Sequence, residues 1–165
     1  MLGEVQGRTL EIGCGWGSNF DHYPAGAEVT AFDVQPPRVR YAERRHAPVR
    51  LAVADAQNLA WPSQAFDSVV GTLVFCSIPE PAQALAEVRR VLRPEGRLYL
   101  VEHVRSHREW LGRAQDWLAP AWLWLTGGCH LNRDAEAAVR AAGFRVERQR
   151  LGFGGALKLI VARPG

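Results

Sequence analysis

The chain has 165 residues, enough for one domain with a full core and too few for two ordinary ones. Apolar residues make up 47% and charged residues 22%, a globular balance that excludes a disordered chain. The net charge is only +3, and the twenty basic residues, of which Lys158 is the one lysine, form no run interleaved with aromatics, so a nucleic-acid partner is not expected.

The first expected strand is Thr9 to Ile12, short and apolar. It runs into Gly13-Cys14-Gly15-Trp16-Gly17, a glycine-rich turn, and Ser18 to Tyr23 then has room for one or two helical turns before Pro24 and Gly26. Glu28 to Asp33 is β-branched and closes on a carboxylate. Pro36-Pro37 opens a helix reaching about His46, since proline suits a first turn. Val49 to Val53 is the third strand, followed by Asp55. Phe66 to Val74 is a continuous apolar run that reads as a strand buried on both faces.

Pro81 to Leu92 repeats apolar residues at helical spacing, and Arg93-Pro94-Glu95-Gly96 reads as a sharp turn before a strand at Leu98 to Val101. Asp134 to Ala142 is a short helix closed by Gly143. Phe144 to Leu151 and Ala156 to Ala162 are two strands close enough for a hairpin. Strands alternating with helices imply right-handed crossovers and a parallel sheet, here finished by an antiparallel pair. No leader or membrane span is apparent, and a cytoplasmic location is expected. Cys14, Cys76 and Cys129 are scattered, odd in number and without metal-ligand spacing. Reduced thiols are therefore expected, with neither a disulfide framework nor a metal centre.

Asp33 stands twenty residues after Gly13, at a strand end, where a carboxylate can accept both hydroxyls of a ribose. Its alternative role is the cap of the Pro36 helix. The ribose reading fits any adenosine cofactor. Two features separate the candidates. The turn is G-x-G-x-G with Ser18 next, not the G-x-G-x-x-G of dinucleotide sites. Glu11, Asp33 and Asp55-Ala56 also gather acid around one site, which suits a cationic sulfonium better than a dianion.

Glu11 to Gly17, Asp33, Asp55-Ala56 and Leu92 to Leu98 resemble the class I S-adenosylmethionine-dependent methyltransferases. The resemblance implies an α/β, Rossmann-like methyltransferase fold, a mostly parallel seven-stranded sheet ending in an antiparallel hairpin. A narrower set resembles the alkyl thiol S-methyltransferases: Asn19-Phe20, Tyr23-Pro24, Thr72-Leu73-Val74, Cys76-Ser77, Glu102-His103-Val104, Pro120-Ala121-Trp122, and Gly128-Cys129 with Leu131. That likeness implies methyl transfer to a small lipophilic thiol. The same core motifs serve methyltransferases of amines, lipids and quinone precursors, and a cofactor-binding protein of weak activity is a further alternative.

By the resemblance Glu11, Gly13 and Gly15 hold the methionine end and Asp33 the ribose, with Cys14 and Val34 also at the cofactor. Asp55 and Ala56 meet the adenine, and Leu73 lines the methyl-transfer point. Family members carry a segment before the first strand that covers the cofactor, whereas Met1 stands nine residues before Leu10, so a missing lid is expected.

A thiol ionises near pH ~8.5, so methyl transfer to it needs only a modest base or a nearby positive charge. His103, beside Glu102 at a strand mouth, is the first candidate to act as base or to orient the acceptor, and His130 is the second. The segment Trp110 to Leu125 repeats an apolar pair every seven residues around Pro120, which is expected to break or kink it. A helix packed on the sheet, a lid over an apolar acceptor, and a membrane-surface helix or homodimer face all fit that pattern.

Overall fold

A computed structural model of the chain describes every residue except His46, His107, Gly127 and Leu131. The expected helix end at His46 and the motif residue Leu131 therefore lie outside the described residues. Seven strands form one sheet: β1 (Arg8–Ile12), β2 (Glu28–Asp33), β3 (Arg50–Val53), β4 (Phe66–Thr72), β5 (Leu92–His103), β6 (Phe144–Gly152) and β7 (Leu157–Pro164). Their order is β3-β2-β1-β4-β5-β7-β6. The first five are parallel, and β7 enters antiparallel between β5 and β6. This is the mostly parallel sheet with an antiparallel end that the alternation of elements implies.

Parallel pairing puts the carboxyl ends of β1 to β5 on one edge, so Gly13, Asp33, Leu73 and His103 sit at or just beyond that rim. Between β1 and β4 the connections run to opposite sides, and a crevice opens there. Helix α2 (Pro81–Val91) covers one face. Its Ala84, Leu85, Val88 and Val91 are buried against Leu10, Ile12, Leu98 and Leu100, each large side chain contributing about 1.5–3 kcal/mol. Helix α4 (Ala135–Ala141) joins the same face; its cap is Asp134, which accepts the Ala137 N–H at 3.0 Å. On the other face α1 (Pro36–Glu43) buries Val39 and Ala42, and Val5 packs against Val70, Tyr99 and Val161.

Several boundaries differ from the sequence expectation. Arg93 to Gly96 is no terminal turn: β5 already begins at Leu92, paired with Phe66, and resumes pairing at Arg97 opposite Ser68. The intervening residues bulge out opposite Asp67, which pairs with Arg93, and Pro94 is tolerated because a bulge asks for no ladder donor. Ser18 to Tyr23 yields only a 3₁₀ turn at Phe20–His22. β4 stops at Thr72 because Leu73 takes a left-handed φ of 54°.

Helix α3 (Glu109–Thr126) runs through Pro120 without a break in the helix. Only Gly112 and Gln115 are buried along it, so it is not a helix laid apolar face down on the sheet. It docks through polarity instead: Gln115 Oε1 accepts the Ser106 N–H at 2.7 Å and its amide donates to Val104 O at 3.0 Å. Trp110, Trp117, Trp124 and Leu125 stand exposed, Trp117 at 82% and Trp124 at 85%. Among the described residues no helix is long and apolar enough to cross a membrane.

Candidate active site

The glycine turn after β1 places three consecutive alternate residues at left-handed φ: Gly13 at 66°, Gly15 at 54° and Gly17 at 75°. They are glycine for different reasons. A Cβ on Gly13 would come within 2.3 Å of Val74 Cγ2, whereas one on Gly15 would meet nothing within 4 Å. Gly13 is needed for close packing, and Gly15 leaves an open cradle for a ligand. Gly13→Ala is therefore expected to cost about 2–4 kcal/mol of stability from overpacking and backbone strain together. Gly15→Ala should cost only about 1–2 kcal/mol and act mainly on ligand affinity. Urea unfolding and calorimetric titration with S-adenosylhomocysteine, compared between the two variants, check this division.

Asp33 closes β2 with its carboxylate almost wholly buried. Oδ2 accepts the Gly15 N–H at 3.1 Å and Oδ1 accepts the Gln35 N–H at 2.9 Å, with the Arg38 guanidinium 3.7 Å away. It thus ties the glycine turn to the end of β2 while keeping lone pairs for a ligand. The helix-cap reading of Asp33 is replaced by this clamp, since its carboxylate takes the Gly15 and Gln35 N–H groups, both outside α1. Asp55 folds an Asx turn onto the Gln57 N–H at 2.9 Å, and the Gln57 amide returns to its carboxylate.

A cavity of about 370 Å³ lies along this rim, and Gly13, Asp33, Val34, Asp55, Ala56 and Gln57 are among its lining residues. Its remaining wall includes Val74, Ser77, Ile78 and Thr126, so the loop after β4 and the end of α3 close it. Volume, acidic acceptors at two strand ends, and the open cradle at Gly15 together fit an adenosine-bearing cofactor with a cationic end. Five of the nine residues assigned to the cofactor, Gly13, Asp33, Val34, Asp55 and Ala56, meet here.

The other four are placed differently. Glu11 points away from the cavity: its carboxylate accepts from Asn19 Nδ2 at 2.8 Å and from the Tyr23 hydroxyl at 2.9 Å, and burial pushes its pKa up. Asn19 also donates to Thr72 Oγ1 at 3.2 Å, so Glu11 anchors the turn that follows the glycines. Cys14 is buried, with its N–H on Phe32 O at 2.9 Å. Burial, then the charges of Glu11 and Asp33, push its thiol up to about 12, which leaves it inert. Gly15 holds the open cradle at the cavity's margin. Leu73 is 43% exposed and its N–H bonds Val101 O at 2.8 Å.

At the far end of the rim, Glu102 is the most enclosed acid on β5. Its Oε1 accepts the N–H groups of Val74 and Phe75 at 3.0 and 2.9 Å, and Oε2 that of Cys76 at 3.2 Å. Burial still holds its pKa above the ordinary carboxylate range. His103 is half-buried, edge-on to Trp122 at 6.5 Å between centroids, and burial lowers its pKa. Its Nδ1 lies 3.5 Å from Cys129 Sγ, and Cys129 Sγ lies 3.3 Å from Cys76 Sγ. His130 donates its N–H to Cys76 O at 2.9 Å, and burial followed by the Arg133 charge lowers its pKa.

Sequence spacing misses several of these groups. Arg38 and Gln57 enter the site from a helix and an Asx turn, and Thr126 arrives from the end of α3. The meeting of Cys76, His103 and Cys129, in which Cys129 lies 26 residues along the chain from His103 and 53 from Cys76, has no linear signal.

Comparison with known proteins gives a consistent answer. The chain is 41% identical over 143 residues to thiol S-methyltransferase TMT1A of Homo sapiens, which covers 82% of this chain and 59% of that protein. It therefore spans less than two thirds of the length of that relative. Among solved structures, a SAM-dependent methyltransferase of Methanosarcina mazei superposes with a TM-score of 0.77 at 22% identity, covering 95% of this chain and 92% of that one. The [4+2]-cyclase SpnF superposes at 0.79 with 19% identity, covering 99% and 77%, so likeness at this level carries fold and not reaction. A family model described as "Methyltransferase domain" matches residues 10–100, more than half of the chain. With its strand order, glycine turn and acidic rim, this chain belongs to the methyltransferase-domain family.

Proposed function

We propose that the chain transfers a methyl group from S-adenosylmethionine to the sulfur of a small lipophilic thiol. The likeness to a thiol S-methyltransferase over 82% of the chain carries the acceptor, and the cavity beside Asp33 carries the cofactor. When bound, the cofactor supplies an electrophilic methyl on a sulfonium. The protein's task is then alignment and exclusion of water.

In this reading the remaining lone pairs of Asp33 take the ribose hydroxyls, with Val34 beside them. Asp55 and Ala56 meet the adenine against the apolar wall of Ile78. Glu11, Gly13, Cys14 and Gly15 shape the methionine end, Glu11 acting by way of Asn19 and Tyr23. Leu73 and Val74 line the transfer point. His103, braced by Trp122, orients the acceptor, and His130 stands behind it on Cys76.

The exposed tryptophans of α3 are our candidate surface for meeting a membrane from which a lipophilic acceptor is drawn, since Trp favours the interface. A cytoplasmic setting suits three unpaired cysteines.

The experiment is release of S-adenosylhomocysteine from purified protein and S-adenosylmethionine across small thiols, amines, phenols and phosphatidylethanolamine vesicles. Turnover confined to thiols is the expected result. Turnover on amines or lipids alone would overturn the acceptor. Cofactor binding with silence across the panel would leave a cofactor-binding protein of this fold.

A further inference from the structure

Cys76, His103 and Cys129 come from three separate segments: the loop after β4, the end of β5, and the loop after α3. The two Sγ atoms and one imidazole nitrogen all lie within 4.8 Å of one another. The closest separations are 3.3 Å between the sulfurs and 3.5 Å from Cys129 Sγ to the imidazole. In a tetrahedral zinc site, with Zn–S about 2.3 Å and Zn–N about 2.0–2.1 Å, neighbouring donor atoms stand roughly 3.5–3.8 Å apart. The imidazole is already at that spacing from Cys129, and the sulfurs need to spread by about half an ångström.

The backbone around the three is fixed. Glu102 holds the Cys76 N–H, Cys76 O accepts the His130 N–H, and Thr126 Oγ1 accepts the Cys129 N–H at 3.2 Å. Both cysteines are buried, while His103 is half-exposed, so the open side of the triangle faces outward past the imidazole. Two thiols and an imidazole are the donor set that zinc prefers among common divalent metals. A disulfide would use the two sulfurs and give the converging imidazole no part. The charges nearby are Glu102, whose oxygens are turned to the loop N–H groups, and Arg133, bonded to Phe75 O and Ile78 O at 2.9 and 2.6 Å. They offset each other, and two thiolates neutralise a dication.

We propose that Cys76, His103 and Cys129 form a three-ligand zinc site whose fourth position takes the sulfur of the acceptor. Three protein ligands with one open position is the arrangement of catalytic rather than structural zinc. The site adjoins the cofactor cavity, because Ser77 follows Cys76 and Thr126 bonds Cys129, and both Ser77 and Thr126 line that cavity. The role of the fourth position rests on the thiol reading above. The acceptor thiol displaces water from the metal and releases its proton to solvent. A sulfur lone pair then forms the new S–CH₃ bond while the methyl–sulfonium bond breaks. That bonding pair stays with the leaving sulfur as a neutral thioether, and the methylated product, a weaker ligand, gives way to water. Holding the sulfur as a metal-bound thiolate keeps it nucleophilic below the ordinary thiol pKa.

The test uses the full chain, reduced and stripped with a chelator, then titrated with Co²⁺ as a spectroscopic substitute for zinc. One equivalent is expected to bind with thiolate-to-cobalt charge-transfer bands and intense tetrahedral d–d bands, both abolished by zinc. Cys76→Ser, Cys129→Ser and His103→Gln should each weaken binding by more than the roughly tenfold to a hundredfold that loss of an outer-shell partner costs, judged against S-adenosylhomocysteine affinity as the control for folding. Adding a small alkyl thiol without cofactor should shift the d–d bands. Absence of charge-transfer bands, or bands that survive in the Cys76→Ser/Cys129→Ser double variant, overturns the metal site. Rapid loss of both thiols to an internal disulfide, with no cobalt bound, overturns it too. Cobalt bands indifferent to thiol overturn the fourth-position role. Because these bands are read without turnover, failure of the site is distinguishable from failure of the thiol reading, which the acceptor panel decides.

Discussion

Glu102→Ala is expected to lower the free energy of unfolding by about 3–5 kcal/mol, because it strands three backbone N–H groups that one carboxylate now satisfies. Glu102 is 1% exposed, so water cannot take over those bonds without opening the rim. Glu102→Gln has the same shape and keeps an acceptor for Val74 and Phe75, but its NH₂ is turned toward the Cys76 N–H. It should cost about 1–3 kcal/mol. Urea unfolding of the two variants reads both values. An alanine variant within about 1 kcal/mol of the parent would show that the loop is held by something other than this carboxylate.

The expected loss is large because of how β4 ends. Leu73 turns out of the sheet at positive φ, so the next three N–H groups have no strand to pair with. A neighbouring strand would be the usual partner, but β5 offers a side chain instead. The same loop forms one wall of the crevice between β1 and β4, which makes Glu102 a determinant of the site's shape as well as of stability. Weakened binding of S-adenosylhomocysteine is therefore expected alongside the lower stability.

Local chemistry made much of this legible from the sequence. Short β-branched runs closed by acids announce parallel strands, and their carboxyl ends must share a rim, so Asp33 and Asp55 could be brought to one cavity without coordinates. The hairpin Phe144 to Ala162 was legible because its turn is glycine-rich and its strands are consecutive. What failed depended on partners distant in the chain. Arg93 to Gly96 has the composition of a turn, yet Asp67 and Phe66 draw it into a bulged strand. Glu11 reads as a ligand-facing acid, yet strand alternation puts it on the face opposite Leu10 and Ile12, where Asn19 and Tyr23 take it. Cysteine spacing likewise says nothing about Cys76 and Cys129, because their sulfurs meet only where the loop after β4 and the loop after α3 come together, 53 residues apart in the chain. Pro120 was a poor guide to α3: the chain keeps its helix through it and commits its aromatic residues to the exterior.

Asp33→Ala is expected to weaken S-adenosylhomocysteine binding by about 2–3 kcal/mol, roughly 30- to 150-fold. Two losses combine. The ribose hydroxyls would lose charge-assisted acceptors, and the Gly15 N–H would lose the anchor that fixes the open cradle beside it. Asp33→Asn separates them: it retains one acceptor oxygen but presents an NH₂ to either the Gly15 or the Gln35 N–H, so its affinity should fall between parent and alanine. Asp55→Ala should cost less than about tenfold, since Asp55 is exposed and its carboxylate's bonds run to the side-chain amide and backbone N–H of its neighbour Gln57. Titration calorimetry on the three variants, with melting temperatures measured in parallel, reads affinity and folding apart. If Asp33→Ala lowers the melting temperature but leaves the affinity of folded protein unchanged, the carboxylate is only a clamp for the glycine turn and the ribose lies elsewhere. If affinity falls in the order expected while Asp55→Ala stays near the parent, the cofactor lies along the rim from Gly15 across Asp33. Its sulfonium end then points toward the crevice between β1 and β4 and the acceptor groups beyond it.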